Sequence, residues 1–154
     1  MITLNDIKID GTMVSSEYHK EAGYKVECKG IKFFSPFSCF SSYILGEGAG
    51  DYRSKINDDR YNEIKACILE KVIPYVCKTG RKTLSSYTLK HGLEQELGGY
   101  VSNETVKIIM IELGVPTRKS KYEYSINILY PYSGVLPLES RPKTVRNRLF
   151  SQRR

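Results

Sequence analysis

The side chains that could carry chemistry are few and widely scattered. His91 and Glu94 lie three residues apart, which would place both on one face of a helix, where such a pair could bind a metal or relay a proton. No second pair of this kind occurs, so a solvated surface interaction is the favoured interpretation. Zinc ligands are closely spaced, whereas the cysteines here are far apart and form no C-x-x-C pair: Cys28, Cys39, Cys67 and Cys77. We therefore expect no metal site and no other cofactor.

Motifs of catalysis are also missing from the sequence. We find no nucleophile, base and acid in a recognisable order, no nucleophile elbow and no paired-carboxylate motif. The glycine-rich stretch GEGAG, residues 46–50, is not followed by the Gly-Lys-Ser/Thr of a phosphate-binding loop, and it is interpreted as a linker or turn. The sequence therefore predicts a protein that is not an enzyme.

Positive charge is concentrated at the C-terminal end. The chain has a formal net charge of +7, and the part after Glu139 contains six basic residues and no acidic one. The preceding part is therefore almost neutral. A basic extension of this kind is typical of segments that are attracted to nucleic-acid phosphates. The candidate phosphate contacts in it are Arg141, Lys143, Arg146 and Arg148.

The bulk composition favours a globular protein that stays in the cytoplasm. The chain has 154 residues, of which 40% are hydrophobic, enough for one core. It contains no apolar run of about 18 residues, the minimum for a membrane-spanning helix. The N-terminus has acidic residues and no apolar signal region. We expect no membrane partner.

The elements that must position these residues begin with a β-rich part, residues 1–50. Residues 2–9 and 24–34 are strand candidates, and Gly30 predicts a bulge or turn in the second. A dense aromatic cluster follows, and it is interpreted as buried core or as a partner-binding patch. An echo of an RNA-recognition consensus at Lys29 and Gly30 lacks the further aromatic residues that would stack on bases. The cluster contains Phe33, Phe34, Phe37 and Phe40.

Helical patterns dominate residues 51–132. One helix is predicted from Asn57 as its cap, with Pro74 kinking or shortening its last turn. A second helix is predicted from a cap at Ser85 or Ser86 to Leu97, where two glycines follow. This part begins the central unit of an α+β fold.

A third helix and a strand complete that unit. Asn103 is the predicted cap of the third helix, which Gly114 and Pro116 close. After a basic turn, residues 121–132 are predicted as a strand. Two helices, a basic loop and a strand are typical of a winged helix. The predicted organisation is therefore a β-rich part (1–50), a winged-helix-like unit (51–132) and a basic extension (133–154).

The residue pattern of the third helix is compatible with two different roles. A recognition helix presents polar side chains to base edges in the major groove, and Asn103, Thr105 and Lys107 are suited to that task. Glu104 and Glu112 would oppose a polyanion. A DNA-reading role and a packing-only role are both compatible with this pattern. Further phosphate contacts are predicted in the basic turn, at Arg118, Lys119 and Lys121.

One segment resembles a motif of small proteins encoded by phages, plasmids and integrative elements of Gram-positive bacteria. The resemblance extends over residues 85–128 and ends with a strand-like segment. It implies a bacterial host cell and a mobile-element origin, and that setting includes anti-CRISPR inhibitors of type II Cas nucleases and helix-turn-helix autorepressors. The matching residues are Ser86, Tyr87, Leu89, Lys90, His91, Glu94, Tyr100, Val101, Ser102, Asn103, Lys107, Met110 and Gly114.

Three functional hypotheses follow from the residues and the resemblance together, and the third of them is an accessory protein of replication or transfer. The first is a non-catalytic inhibitor that binds a protein or nucleoprotein, such as a Cas effector with its guide RNA. The second is a winged-helix transcriptional regulator that binds double-stranded DNA. The aromatic cluster and the nearly neutral body favour a protein partner, whereas the basic segments favour phosphates.

Overall fold

The computed structural model describes residues 1–17, 20–48 and 54–138 of the chain. In these ranges the backbone forms two small antiparallel sheets and four α-helices, so the predicted α+β class is confirmed. The strands are β1 (Ile7–Val14), β2 (Ala22–Cys28), β3 (Ile31–Pro36), β4 (Lys82–Ser85) and β5 (Leu129–Tyr132). The helices are α1 (Phe37–Tyr43), α2 (Asp59–Lys71), α3 (Ser86–Leu97) and α4 (Asn103–Glu112). Two 3-10 turns, Leu4–Asp6 and Ile73–Tyr75, complete the described elements.

The N-terminal sheet is a three-stranded meander in the order β1-β2-β3. Its second turn consists of Lys29 and Gly30, which both have positive φ angles, of 48° and 83°. Positive φ at both central residues is what a tight two-residue hairpin requires. The predicted interruption at Gly30 is therefore a turn between two strands. The first strand begins later than predicted because Leu4–Asp6 form a 3-10 turn.

Helix α2 begins one residue after its predicted position. The carboxylate of Asp58 accepts a hydrogen bond from the Tyr61 backbone N–H, so Asp58 is the cap instead of Asn57. The helix ends at Lys71, and Pro74 lies in the following 3-10 turn. The sequence pattern predicts a helical run as far as Gly80, with Pro74 kinking or shortening its last turn. The helix ends earlier than this, and Pro74 lies outside it.

Helices α3 and α4 lie close to their predicted positions. Ser85 caps α3 by accepting a hydrogen bond from the Thr88 N–H, and Gly98 follows its end. Ser102, rather than Asn103, caps α4 by accepting from the Thr105 N–H at 3.0 Å. These caps satisfy backbone N–H groups that a helix leaves without partners in its first turn.

The second sheet pairs β4 with β5, and an isolated bridge joins Arg118 to Leu129. The predicted strand of residues 121–132 is regular only in its last four residues. The preceding residues contact the N-terminal part instead: the Phe34 N–H donates to the Ser125 carbonyl at 2.9 Å. We call the segment between α4 and β5, residues 115–128, the connecting loop.

Helix α4 occupies the centre of the molecule. Every residue from Glu104 to Ile111 is buried. Helices α1, α2 and α3 all contact it, and the main core cluster joins its side chains to those of both sheets. A helix that is buried all round is a core element, and it has no face that could enter a groove of DNA. Both of the helices predicted between residues 85 and 114 are therefore present, and the second of them, α4, is enclosed.

Candidate nucleic-acid interface

The residues predicted to read DNA on α4 are buried. Thr105 is 2% exposed, and Lys107 is 0% exposed. Asn103 is half-buried, and its amide donates to the Ile126 carbonyl and to Oδ1 of Asn127. The prediction that these three side chains contact bases is therefore corrected, because all three face the interior of the chain or the connecting loop.

Lys107 joins three parts of the fold. Its ammonium donates to the carbonyls of Phe34 and Ile126, at 3.1 and 2.8 Å. It also pairs with Glu104 at 3.0 Å and lies 4.6 Å from the centre of the Phe33 ring. A buried ammonium needs this many partners, because burial of an unpaired charge is very unfavourable. Lys107 thus links α4, β3 and the connecting loop.

The aromatic cluster is mostly core. Phe33 and Phe34 are completely buried, and Phe40 is 6% exposed. Of the four, only Phe37 presents a substantial part of its ring to solvent, with 40% of the residue exposed. Its ring packs edge-on against that of Tyr24, with 4.7 Å between the ring centres. The core interpretation is thus confirmed for three members, and the partner-patch interpretation is corrected for those three.

A basic cleft lies where the connecting loop meets the turn between β2 and β3. It has a volume of about 390 Å³, and its walls are Gly30–Lys32 on one side and residues 117–123 on the other, with part of residues 125–129. We use the name basic cleft for this set. Its charged members are four cations and one carboxylate: Lys32, Arg118, Lys119, Lys121 and Glu123.

Hydrogen bonds position Arg118, and an ion pair positions Lys32. The Arg118 N–H donates to the Leu129 carbonyl at 2.7 Å, and its guanidinium donates to the Gly80 carbonyl and to Thr83 Oγ1. Lys32 lies 3.3 Å from Glu123, and both side chains are exposed. The hydrogen bond and charge of Glu123 raise the pKa of Lys32, so this lysine is protonated throughout the neutral range.

The remaining two cations have greater freedom. Lys119 and Lys121 are exposed on the connecting loop, and no salt bridge to either is found among the described residues. Lys121 lies over the Tyr122 ring, with its nitrogen 5.4 Å from the ring centre. Because a lysine side chain is long and flexible, these two can reach phosphate oxygens without breaking a salt bridge among the described residues.

Part of this site was predicted and part was missed. Arg118, Lys119 and Lys121 were predicted, and the fold places them along one wall of the cleft. Lys32 was missed because it lies far away in sequence, in an alternating strand where a lysine is the ordinary outward residue. The signal that could have found it is the tight turn at Gly30, which Lys32 follows closely at the start of β3. The predicted tail contacts Arg141, Lys143, Arg146 and Arg148 lie outside the described residues.

The segment that carries the motif resemblance forms its own surface cluster on α3. Glu94 accepts hydrogen bonds from Lys90 at 3.1 Å and from the Val101 N–H at 3.2 Å, and it lies 3.3 Å from Nδ1 of His91. Tyr87 packs edge-on against His91. Glu94 therefore ties the end of α3 to the turn before α4. These contacts stabilise the turn between α3 and α4, which is a structural role.

Neither metal-binding geometry nor a membrane-spanning element is found in the described ranges. No group of three or more histidine, cysteine or acidic side chains there is placed to hold a metal ion. None of the helices described is long and apolar enough to traverse a bilayer.

Comparison with known proteins adds no family to this description. No protein-family model matches the chain. Searches against curated proteins and against solved structures likewise gave no significant match.

Proposed function

We propose that the protein is a non-catalytic inhibitor that docks on a nucleoprotein and holds phosphate groups in its basic cleft. The observation that supports this most strongly is the placement of four cations against one carboxylate around a single concave site. A local excess of positive charge attracts and retains phosphodiesters. The partner that we propose is an RNA-guided Cas nuclease of type II. Residues 85–128 resemble proteins of mobile genetic elements, and inhibitors of such nucleases are encoded in that setting.

The burial of α4 argues for docking rather than sequence reading. Base recognition in duplex DNA needs side chains that reach the major groove, and the polar side chains of α4 are used inside the fold. Phosphate contacts, in contrast, attract without reading sequence. A protein of this design inhibits by occupying a channel through which nucleic acid must pass.

The proposal is tested by reversing charge in the cleft. The double variant Lys119→Glu/Lys121→Glu changes two exposed residues that make no salt bridge among the described residues, so its fold should be preserved. We expect it to lose most of its inhibition of target cleavage by a purified type II Cas effector loaded with guide RNA. The matched control is Lys55→Glu, an exposed lysine outside the cleft.

Three outcomes distinguish the alternatives. Inhibition by the wild type and by the control, with loss in the double variant, supports the proposal. Full cleavage in the presence of micromolar wild-type protein, together with no pull-down of the effector, removes the Cas partner. Equal inhibition by all three proteins would show that the basic cleft is not the docking site.

A winged-helix regulator is a second candidate, and the order of the elements favours it. Helix α2, strand β4, helices α3 and α4, a basic loop and β5 follow one another, and β5 lies between β4 and the bridge at Arg118. That connectivity is typical of winged helices, whose loop can contact phosphates. A gel-shift assay with the DNA upstream of its own gene, at two salt concentrations, tests it. Sequence-specific retardation that survives the higher salt would favour the regulator over the inhibitor.

A further inference from the structure

The size and shape of the basic cleft restrict what it can hold. Sites for small molecules have volumes of about 300–1,000 Å³, and the cleft, at about 390 Å³, lies near the lower limit. Such a concave site accommodates a group of about the size of one nucleotide. A double helix keeps its bases paired and stacked, so it offers the cleft mainly its backbone. An unpaired strand can place one of its nucleotides inside.

The cleft combines cations with one available aromatic ring. Tyr122 lines it beside Lys121, and Tyr122 is half-exposed. Tyr124, two residues later, is not among the residues that line the cleft, and its hydroxyl donates to Asp10 at 3.0 Å. The nitrogen of Lys121 lies 5.4 Å from the Tyr122 ring centre, and this flexible side chain can turn aside for a base. Tyr122 is therefore the ring on which a base can stack. Stacking on aromatic side chains is how proteins hold unpaired bases without strong sequence preference.

A hydrogen-bond donor also lines the cleft. Oδ1 of Asn127 accepts from the amide of Asn103 at 2.8 Å, and that amide is oriented by its second bond to the Ile126 carbonyl. No acceptor for the side-chain N–H groups of Asn127 is found in the described part of the chain, so these groups are left for a ligand. A donor, an aromatic ring and flexible ammonium groups together match the three parts of a nucleotide: the polar edge of the base, its face and the phosphate.

We propose that the basic cleft binds one unpaired nucleotide of a single-stranded RNA or DNA segment, with its base stacked on Tyr122 and its phosphates held by Lys119 and Lys121. This inference rests on the proposed phosphate-binding function and names its ligand. In a nucleoprotein partner, the natural target is an exposed stretch of guide or displaced strand. Duplex should bind more weakly, and only through charge.

The test compares one sequence in two forms. Fluorescence anisotropy at fixed salt would measure binding of the full chain to a labelled 12-nucleotide single strand and to the same sequence as a duplex. We expect Tyr122→Ala to weaken single-strand binding about tenfold, the equivalent of one lost stacking contact, while duplex binding stays unchanged. Tyr122→Phe should retain the wild-type affinity because the ring remains. The matched control is Tyr87→Ala, which removes another exposed tyrosine outside the cleft.

The outcomes separate this inference from the function on which it rests. If Lys119→Glu/Lys121→Glu abolishes binding but Tyr122→Ala binds the single strand as tightly as the wild type, the cleft holds phosphates without stacking and the inference is overturned. Tighter binding to the duplex than to the single strand would also overturn it. If neither the single strand nor the duplex binds the wild-type protein, both this inference and the proposed phosphate-binding function are wrong. Melting temperatures of all variants, compared with the wild type, exclude unfolding as the cause of any loss.

Discussion

At the scale of the residue, the most informative side chain is Lys107. It has a charge that would suit DNA contact, yet it is completely buried and its ammonium has four partners in the fold. Its ion-pair partner Glu104 is 3% exposed and also accepts a hydrogen bond from the Ser35 hydroxyl at 2.7 Å. Each charge is acceptable in the interior only because the other is present.

This pairing predicts strong coupling between the two residues. Lys107→Met should lower the free energy of unfolding by about 3–5 kcal/mol, because it leaves the Glu104 carboxylate buried without its counter-charge. Adding Glu104→Gln should restore part of the loss, since the remaining side chains are uncharged. Urea unfolding of the wild type, both single variants and the double variant measures this coupling.

The control for the residue scale is Lys78→Met, a substitution of an exposed lysine. Its effect on the free energy of unfolding should stay within about 0.5 kcal/mol. A Lys107→Met variant that is as stable as the wild type but binds nucleic acid more weakly would contradict the structural role and restore the DNA-reading role.

At the scale of the element, a carboxylate near the end of α4 connects it to α2. Glu112, whose side chain is 4% exposed, accepts a hydrogen bond from the Tyr61 hydroxyl at 2.6 Å and pairs with Lys65. Burial by itself raises the pKa of Glu112, but the hydrogen bonds from Lys65 and Tyr61 outweigh it and hold the pKa below its ordinary value of 4.5. The ionised form is therefore favoured in the folded state.

This shift predicts an acid-sensitive contact between α2 and α4. A carboxyl group with a lowered pKa stabilises the fold above its unfolded pKa, and this contribution is lost as the pH falls through the folded pKa. Glu112→Gln should therefore cost about 2 kcal/mol at neutral pH, and the difference from the wild type should shrink below about pH 4. Urea unfolding at a series of pH values, from neutral to below the group's ordinary pKa of 4.5, measures it.

The control for this prediction is Glu63→Gln on α2. Glu63 also pairs with a cation, Arg60, but its side chain is 53% exposed. An exposed pair contributes little, so its removal should change neither the stability nor the pH profile measurably. A Glu112→Gln variant with the same pH dependence as the wild type would show that the contact does not contribute.

At the scale of the whole molecule, the described core and the basic extension are expected to act separately. Among the described residues, the core cluster and the residues that pack against it extend as far as Leu138. The segment of residues 139–154 contains Glu139 and six basic residues, so it contributes five of the seven net positive charges of the chain. A chain ending at Leu138 should therefore keep its melting temperature while the affinity for nucleic acid becomes less dependent on salt.

The size of that change follows from counter-ion release. Each phosphate contact contributes about 0.7 to the slope of log affinity against log salt for a single strand. If the tail makes four such contacts, through the predicted Arg141, Lys143, Arg146 and Arg148, the slope should fall by about 3 on truncation. Titrations at several salt concentrations measure it. A large drop in melting temperature would contradict the separation of core and extension.

Local chemistry determined much of what the sequence could reveal. The cap at Ser85, the glycines after α3 and the turn at Gly30 were all predictable, since capping and positive φ angles depend on a few neighbouring residues. The same reasoning located Arg118, Lys119 and Lys121 in a basic loop. The caps of α2 and α4 were misplaced by one residue because adjacent polar residues compete for the same role.

Only the tertiary structure decided which surfaces of these elements are exposed. Periodicity identifies an apolar face of α4, but it cannot reveal that Lys107 and Glu104 on the other face neutralise each other against β3. Periodicity also cannot predict that Lys32 and Lys119 line the same cleft. Lys32 follows a hairpin turn and Lys119 lies on the connecting loop, and these two segments meet only after folding. The sequence by itself determined the elements and their charges. Their burial, and thus the change from a DNA-reading helix to a basic cleft, depends on contacts between residues far apart in the chain, which local patterns do not encode.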